Sequence, residues 1–335
     1  MKISASIYSN KHRELQDIVA ELDAHGTDFF HIDCNDDPRV FDDIARIRQF
    51  SKTPIDLHII TPTPSRYYEL IAAQPVDAVC FQYEDLQEAL EIPAGITART
   101  GLAISSNTDI DVFAPYADTL DFILIMATTP GQSGGTFDKH NFRKIRQFRQ
   151  RFPRTRIHVD GGVNHEVSFI LRNMGVYAAV SGSYLMNSDS IGAAMLNLKT
   201  YDIGSHYLVS DFMRQRDETP MLRPADLSVR NILQSIEDFD LGFTLLVDEA
   251  GVLQGMITNA DVRKGLLKHI DNLNDIRIAD MVNPTPAVAR EDFTVQELLA
   301  FIQEQTFAIN YLPVVNSKRE VTGSVTFMNL IKGEL

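Results

Sequence analysis

The chain is 335 residues long, with 44% hydrophobic residues and a formal net charge of −14. That length suits one large domain with a smaller one, or two comparable ones, and the apolar fraction is too high for a disordered chain. The acidic balance, with a pI near 5.0, repels a nucleic-acid backbone, so the expected partners exclude nucleic acid, while a local basic patch can still take a small phosphate.

Cys34 and Cys80, the only cysteines, cannot build a disulfide framework and suit a reducing compartment. The N-terminal MKISASIYSN lacks the long apolar core of a signal peptide, and no run approaches the ~18 apolar residues of a membrane span. A soluble, cytoplasmic protein with no membrane partner is expected.

Up to about residue 200, short apolar strands alternate with helical patterns. The strand candidates are KISASI, DFFHID, IDLHII, AVCFQY, TGLAIS, FILIMA, RIHVD and AAVSGS. Between them, KHRELQDIVAELDAHG and HNFRKIRQFRQRF carry apolar residues at helical spacing, and Gly26 is a helix-stop signal for the first. Eight strands separated by helices imply parallel pairing and predict an α/β fold, a (β/α)8 TIM barrel over residues 1–205. An open doubly wound sheet is the structural alternative. After Leu198, KTYDIGSHYLVSDFMRQRDETPM reads as polar and irregular. An internal repeat follows, FTLLVDEAGVLQGMITNADV from Phe243 against YLPVVNSKREVTGSVTFMNL from Tyr311, which matches Val247 with Val315, Gly255 with Gly323 and Thr258 with Thr326. Upstream, PMLRPADLSV corresponds to PAVAREDFTV. Units this small are expected to pack face to face, since neither alone buries a large core.

In a parallel barrel the functional residues lie at the C-terminal strand ends. Those ends supply His31 and Asp33 from strand two, His58 from strand three and Asp160 from strand seven. In HIDCNDD the imidazole of His31 and the carboxylate of Asp33 stand two residues apart and so share one strand face. A single strand-end histidine is more often structural or solvated; two imidazoles and two carboxylates on one mouth make a site for a divalent metal, with zinc expected first and manganese or ferrous iron as alternatives. Glycines follow the late strands, in PGQSGG, in GG after Asp160 and in GS after strand eight. Each alone is a turn signal; together, on adjacent strands, they read as backbone amides that cradle a phosphate.

Carried by SASI, HID, DLHII, GLAIS, LIMATTPGQSGGTF, VDGG and VSGS in order, the first part resembles the ribulose-phosphate 3-epimerases. The resemblance implies an isomerase of carbohydrate metabolism that inverts the carbon beside a ketone in a sugar phosphate such as D-ribulose 5-phosphate or D-xylulose 5-phosphate. It implies one divalent metal on His31, Asp33, His58 and Asp160, with Asp33 and Asp160 as the catalytic acid and base on opposite faces of that carbon. Substrate contacts are implied at Ser6, Met126, Gly131, Gly134, Gly161, Gly162, Gly182 and Ser183. The sequence departs from the family at the loop after strand two, where CNDDPRVFDD is shorter and puts Asn35 at a methionine position. Ile60 replaces another methionine, Gln82 stands where a histidine is common, and Gln132 and Ser133 replace a Phe-Gly pair. Retained chemistry on a changed or enlarged substrate is the expectation; a non-catalytic sensor of sugar phosphate or nucleotide is the alternative. A barrel decarboxylase or aldolase fits less well, because no strand end carries a lysine.

The repeat resembles a tandem pair of cystathionine-β-synthase-type (CBS) domains, an α+β pair over 211–335 with units at 211–268 and 278–335. GMITNAD matches the Gly-x-x-Thr-x-x-Asp signature, which implies an adenosine nucleotide contacted by Thr258, Asp261 and Thr326, and regulation of the barrel; Asn329 stands at the acid position of the second unit. Both resemblances imply a homo-oligomer.

Overall fold

The computed structural model describes residues 1–10, 12–128, 134–199, 206–305 and 309–326. The chain divides into two compact units, Met1–Ile203 and Gly204–Met328.

In the first unit eight strands, β1 (Lys2–Ser6), β2 (Phe29–Asn35), β3 (Ile55–Ile60), β4 (Ala78–Gln82), β5 (Arg99–Ser105), β6 (Phe122–Met126), β7 (Arg156–Asp160) and β8 (Ala178–Ser181), pair in sequential order. All pairs are parallel, and β8 returns onto β1 with Ile3 opposite Ala179 and Ala5 opposite Ser181, which closes a barrel and excludes the open sheet. The outer ring holds α1 (Leu15–Ala24), α2 (Val40–Ile47), α3 (Tyr68–Ala73), α4 (His140–Arg151), α5 (His165–Asn173), α6 (Ser183–Met186) and α7 (Ile191–Lys199). Helical spacing tells why these segments dock: Ile18, Val19 and Leu22 on α1, and Phe142, Ile145 and Phe148 on α4, lie on one face and are buried. Gly26, at φ +64°, follows the end of α1 in the left-handed conformation that stops a helix.

The helical ring is incomplete. Only a 3-10 turn, Tyr83–Asp85, stands within the β4–β5 connection, and a 3-10 segment, Ile110–Tyr116, serves between β5 and β6. Pro93 and Gly95 interrupt the first connection, and Pro115 lies inside the second; prolines and glycine disfavour a regular helix there.

Strand alternation divides the barrel interior into two regions. Ala78, Cys80, Ala103, Phe122, Leu124, Met126 and Val180 form an apolar cluster. Ser4, His31, Asp56, His58 and His158 are buried polar residues, of which Ser4, Asp56 and His31 are joined by hydrogen bonds. Small residues on β4 and β5 make room for the Phe122 ring: a Cβ on Gly101 would lie 2.5 Å from it. On its other side Phe122 stacks on His158, with ring centroids 4.1 Å apart.

The second unit opens with α8 (Val209–Phe212) and β9 (Arg214–Gln215), then β10 (Met221–Leu222), α9 (Val229–Phe239), β11 (Phe243–Val247), β12 (Leu253–Thr258), α10 (Asn259–Lys268), β13 (Ala289–Arg290), α11 (Val295–Gln303), β14 (Tyr311–Val315) and β15 (Val321–Thr326). The sheets run β10-β11-β12 and β13-β14-β15-β9. In both, a parallel strand precedes an antiparallel hairpin whose register slips at the same place, between Leu246 and Val247 and between Val314 and Val315. Ser228 caps α9 and Thr294 caps α11. Reciprocal bonds tie the repeats together: Leu253 N–H donates to the Arg319 carbonyl and Val321 N–H to the Gly251 carbonyl, about the Val252–Glu320 bridge. Equivalent rings, Phe243 and Tyr311, stack at 4.8 Å. The second unit is a tandem α+β repeat.

The stretch read as an irregular connector is in part a packed element. Val209 and Met213 enter the second repeat's core beside Leu312 and Val314, and β9 pairs with β15. Elements this short show no periodicity in sequence, and their burial depends on a strand about a hundred residues away in the chain.

Gly101→Ala is expected to overpack the barrel against Phe122 and cost roughly 1–3 kcal/mol, which lowers the melting temperature by about 2–4 °C per kcal/mol. Calorimetry of the full chain checks this; an unchanged transition would mean that Phe122 moves aside freely.

Candidate metal centre and substrate pocket

Strand pairing assembles the centre. Register sets His31 opposite Asp56 and Asp33 opposite His58 across β2 and β3, while Asp160 ends β7 opposite Met126 of β6. Ligand atoms of His31, Asp33, His58 and Asp160 all lie within 4.8 Å of one another. His31 Nε2 is 3.4 Å from Asp33 Oδ1 and 3.8 Å from Asp160 Oδ2, and His58 Nδ1 is 3.3 Å from Asp33 Oδ1. A tetrahedral ion with bonds of about 2.0–2.2 Å holds its ligands about 3.3–3.6 Å apart. His31 Nε2 is buried with no hydrogen-bond partner, an orphaned nitrogen aimed between two carboxylates. The donor set and its spacing fit one divalent cation.

Electrostatics say the same. Burial pushes the Asp33 carboxyl up, but the neighbouring His31 and His58 imidazoles outweigh it and hold Asp33 far below the usual carboxylate range. Burial raises Asp160 to about 6, helped by the Asp33 charge and opposed by His31 and His58. Burial alone would depress His31; the carboxylates of Asp56 and Asp33 overcome it and raise the imidazole well above its ordinary value. The protein alone thus keeps one positive charge among these acids by protonating His31, the charge that a cation would replace with release of that proton. Deeper in the barrel, burial lowers His158 to about 4, so this ring is neutral between Phe122 and Tyr177.

Above the cluster lies a cavity of about 200 Å³ lined by Asp33 and Asp160 together with Ser6, Met126, Gly134, Gly161, Gly162, Gly182 and Ser183. These expected substrate residues share one pocket; Gly131, and with it Gln132 and Ser133, lies outside the described residues. Gly161 and Gly162 have φ of +109° and +65°, and a Cβ there would lie 2.3 Å from Thr128 Oγ1 and 2.2 Å from the Phe137 nitrogen respectively. Only glycine lets the β7 loop pass this close to the β6 loop.

Tyr8, Ser9, Asn35 and Thr128 also line the cavity and were not predicted as site residues. Tyr8, Ser9 and Thr128 follow strand ends, where no periodicity marks the face. Asp56 was missed although it stands two residues before His58, the spacing that singles out His31 and Asp33. Past Asp33 the cavity adjoins a recess of about 510 Å³ shared by Tyr8, Asp33 and Asn35 and walled by Asp37, Arg39, Val40, Asp42 and Asp43. The short loop after β2 supplies Asp37 and Arg39 to its wall. Asp36, at φ +52°, accepts hydrogen bonds from Thr61 Oγ1 at 2.6 Å and Tyr67 Oη at 2.9 Å.

In the second unit, Thr258 and Asp261 cap α10 reciprocally. Thr258 Oγ1 donates to Asp261 Oδ2 at 2.6 Å, and Asp261 N–H donates to Thr258 Oγ1 at 3.2 Å. Asp261 Oδ1 lies 3.5 Å from Lys264 Nζ. Thr258 and Thr326 pair with Phe243 and Tyr311, the stacked rings. Asn329 lies outside the described residues. No helix among the described residues is long and apolar enough to cross a membrane.

Comparison with known proteins agrees with this division. Residues 278–334 match the CBS domain model. Among solved structures, the CBS-pair protein CBSX2 from Arabidopsis thaliana is 23% identical, over 38% of this chain and 94% of its own, with a TM-score of 0.32. A CBS domain pair in complex with 5′-methylthioadenosine and S-adenosyl-L-methionine is 25% identical, over 38% and 98%, with a TM-score of 0.31. For the barrel, the ribulose-phosphate 3-epimerase of Schizosaccharomyces pombe is 24% identical over 201 residues, 56% of this chain and 88% of that protein. That of Bacillus subtilis is 25% identical over 200 residues, 55% and 91%. Residues 2–186, more than half of the chain, match the family model itself, and the chain belongs to the ribulose-phosphate 3 epimerase family.

Proposed function

We propose that residues 1–205 form a metal-dependent 3-epimerase of a ketose phosphate. The observation that carries this reading is the convergence of His31, Asp33, His58 and Asp160 within 4.8 Å, with the two carboxylates lining one pocket. Inversion beside a ketone requires a proton to leave one face of C3 and another to arrive at the opposite face. A single carboxylate cannot serve both faces. Asp33 takes the proton of one epimer and Asp160 delivers one from the other side to the enediolate carbon; the reverse reaction exchanges their roles, and the proton left behind returns through solvent before the next turnover. A divalent cation held by the four side chains, zinc first or else manganese or ferrous iron, supplies positive charge beside the substrate oxygens as C3 loses its proton. Gly134, Gly161, Gly162, Gly182 and Ser183 present main-chain amides to the phosphate, Ser6 and Met126 contact the sugar, and Gly131 belongs to the same loop by its motif.

Deuterium incorporation tests the reading. The metal-loaded chain incubated with ketose phosphates in heavy water is expected to exchange the C3 proton, to stop when a chelator strips the metal, and to resume with zinc or manganese. Asp33→Asn is expected to lower the exchange rate by about 10²–10⁴-fold. A chain that binds metal and exchanges no C3 proton of any five- to seven-carbon ketose phosphate is not an epimerase of this class.

The recess past Asp33 supports a substrate bulkier than a pentulose phosphate at its non-phosphorylated end. Among the described residues it carries several carboxylates and only Arg39 as a cation, so it suits hydroxyls and not a second phosphate. The expected outcome of a panel assay is a higher kcat/KM for a larger or substituted ketose phosphate than for D-ribulose 5-phosphate; a preference for the pentulose would refute the enlarged site.

For residues 211–335 we propose regulation by an adenosine nucleotide, with units at 211–268 and 278–335. The GMITNAD motif supports it: the cap uses Oδ2 of Asp261, and Oδ1, which faces Lys264, is the oxygen proposed to take a ribose hydroxyl, with Thr258 and Thr326 as the further contacts. Calorimetric titration of the full chain with AMP and ATP is expected to give binding that Asp261→Ala weakens; no heat with either would refute it.

A further inference from the structure

Each imidazole can offer either of two nitrogens to the cluster, and something must choose. We infer that Asp56 and Gln82 are the positioning residues that choose, turning Nε2 of His31 and Nδ1 of His58 toward Asp33. The inference rests on the metal-centre reading above.

For His31 the choice follows from a buried carboxylate. Nδ1 lies 3.0 Å from Asp56 Oδ2, and the same oxygen accepts from Ser4 Oγ at 2.9 Å. Asp56 and His31 are both buried, 2% and 1% exposed, and strand register alone puts them side by side. An ionised carboxylate only accepts, so Nδ1 carries the hydrogen. A ligating imidazole is neutral, which leaves the lone pair on Nε2, the nitrogen without a partner that faces Asp33 and Asp160.

For His58 the choice passes through an amide. Nε2 lies 2.9 Å from Gln82 Oε1. Gln82 can present oxygen or nitrogen there, but its Nε2 donates to Glu84 Oε2, which turns the oxygen to the histidine. Glu84 is itself held by the Ser105 N–H at 2.8 Å and by Thr108 Oγ1. The chain of bonds from the β5 loop therefore puts the hydrogen on His58 Nε2 and the lone pair on Nδ1, 3.3 Å from Asp33.

The test uses the full chain with ¹⁵N-labelled histidine, loaded with zinc, and long-range proton–nitrogen correlation spectra. His31 is expected to show a metal-bound Nε2 with a protonated Nδ1, and His58 the opposite. Gln82→Leu and Asp56→Ala are each expected to weaken zinc by about 10–100-fold in chelator competition, with the other histidine's pattern unchanged. Asp56→Asn, which keeps one oxygen for both donors, is expected to recover most of that loss. A purely structural role would lower the melting temperature of the variants without changing the zinc affinity of the folded fraction, and that result overturns the inference. So does a spectrum with His31 ligating through Nδ1 or His58 through Nε2, which needs no variant to fold. An unmodified chain that binds no zinc overturns the metal reading instead; in that chain a hydrogen on Nδ1 in the neutral His58 ring would still overturn this one, and a hydrogen on Nε2 alone would uphold it.

Discussion

Two carboxylates, Asp33 and Asp160, with ligand atoms less than 5 Å apart at the mouth of a closed barrel, cannot both stay ionised in a low-dielectric interior unless a positive charge sits with them. Much of the first unit answers that demand. Protonated His31 can meet it, and so can a divalent cation. The surrounding polar groups are spent on orientation: Ser4 and Asp56 hold one ring, Gln82 and Glu84 the other. Deeper in the barrel the interior turns apolar, with Phe122 and Leu124 beside a neutral His158. The charge is confined to the end where a substrate can arrive.

The pocket walls follow from close backbone approach and from one short loop. Glycines after β7 let two loops pack in contact, which brings main-chain amides to the edge of the cavity. On the opposite side Asp36 adopts a left-handed conformation that costs a non-glycine residue roughly 1 kcal/mol, and hydrogen bonds from Thr61 and Tyr67 offset it. Held in this way, the loop walls with Asp37 and Arg39 a recess that Tyr8, Asp33 and Asn35 share with the pocket.

The second unit is a duplication that remains visible in its bonds. Donor and acceptor exchange places across the Val252–Glu320 bridge, the hairpins bulge at equivalent residues, and equivalent rings meet. Each half thereby covers an apolar sheet face that the other half would expose. In the first repeat the Thr258–Asp261 cap joins a structural task to the signature motif.

Periods of two and of 3.6 residues are local properties, and for that reason the chain by itself determined the eight barrel strands, the helices α1 and α4, the inward faces of β2, β3 and β7, and hence His31, Asp33, His58 and Asp160. The repeat was legible for the same reason, since equivalent residues recur in order. Other features depend on atoms far apart in sequence. Closure of β8 onto β1, burial of Val209 and Met213, the room at Gly101 for Phe122, and the recess beyond Asp33 were decided only by tertiary packing. Asp56 is the instructive case: its spacing from His58 was in plain view, but an aspartate on a strand face reads as a ligand or as nothing until the fold places its oxygen 3.0 Å from His31 Nδ1. Sequence periodicity sets which way a side chain points; which nitrogen of a ring faces the metal centre is set by hydrogen bonds that exist only once the strands have met.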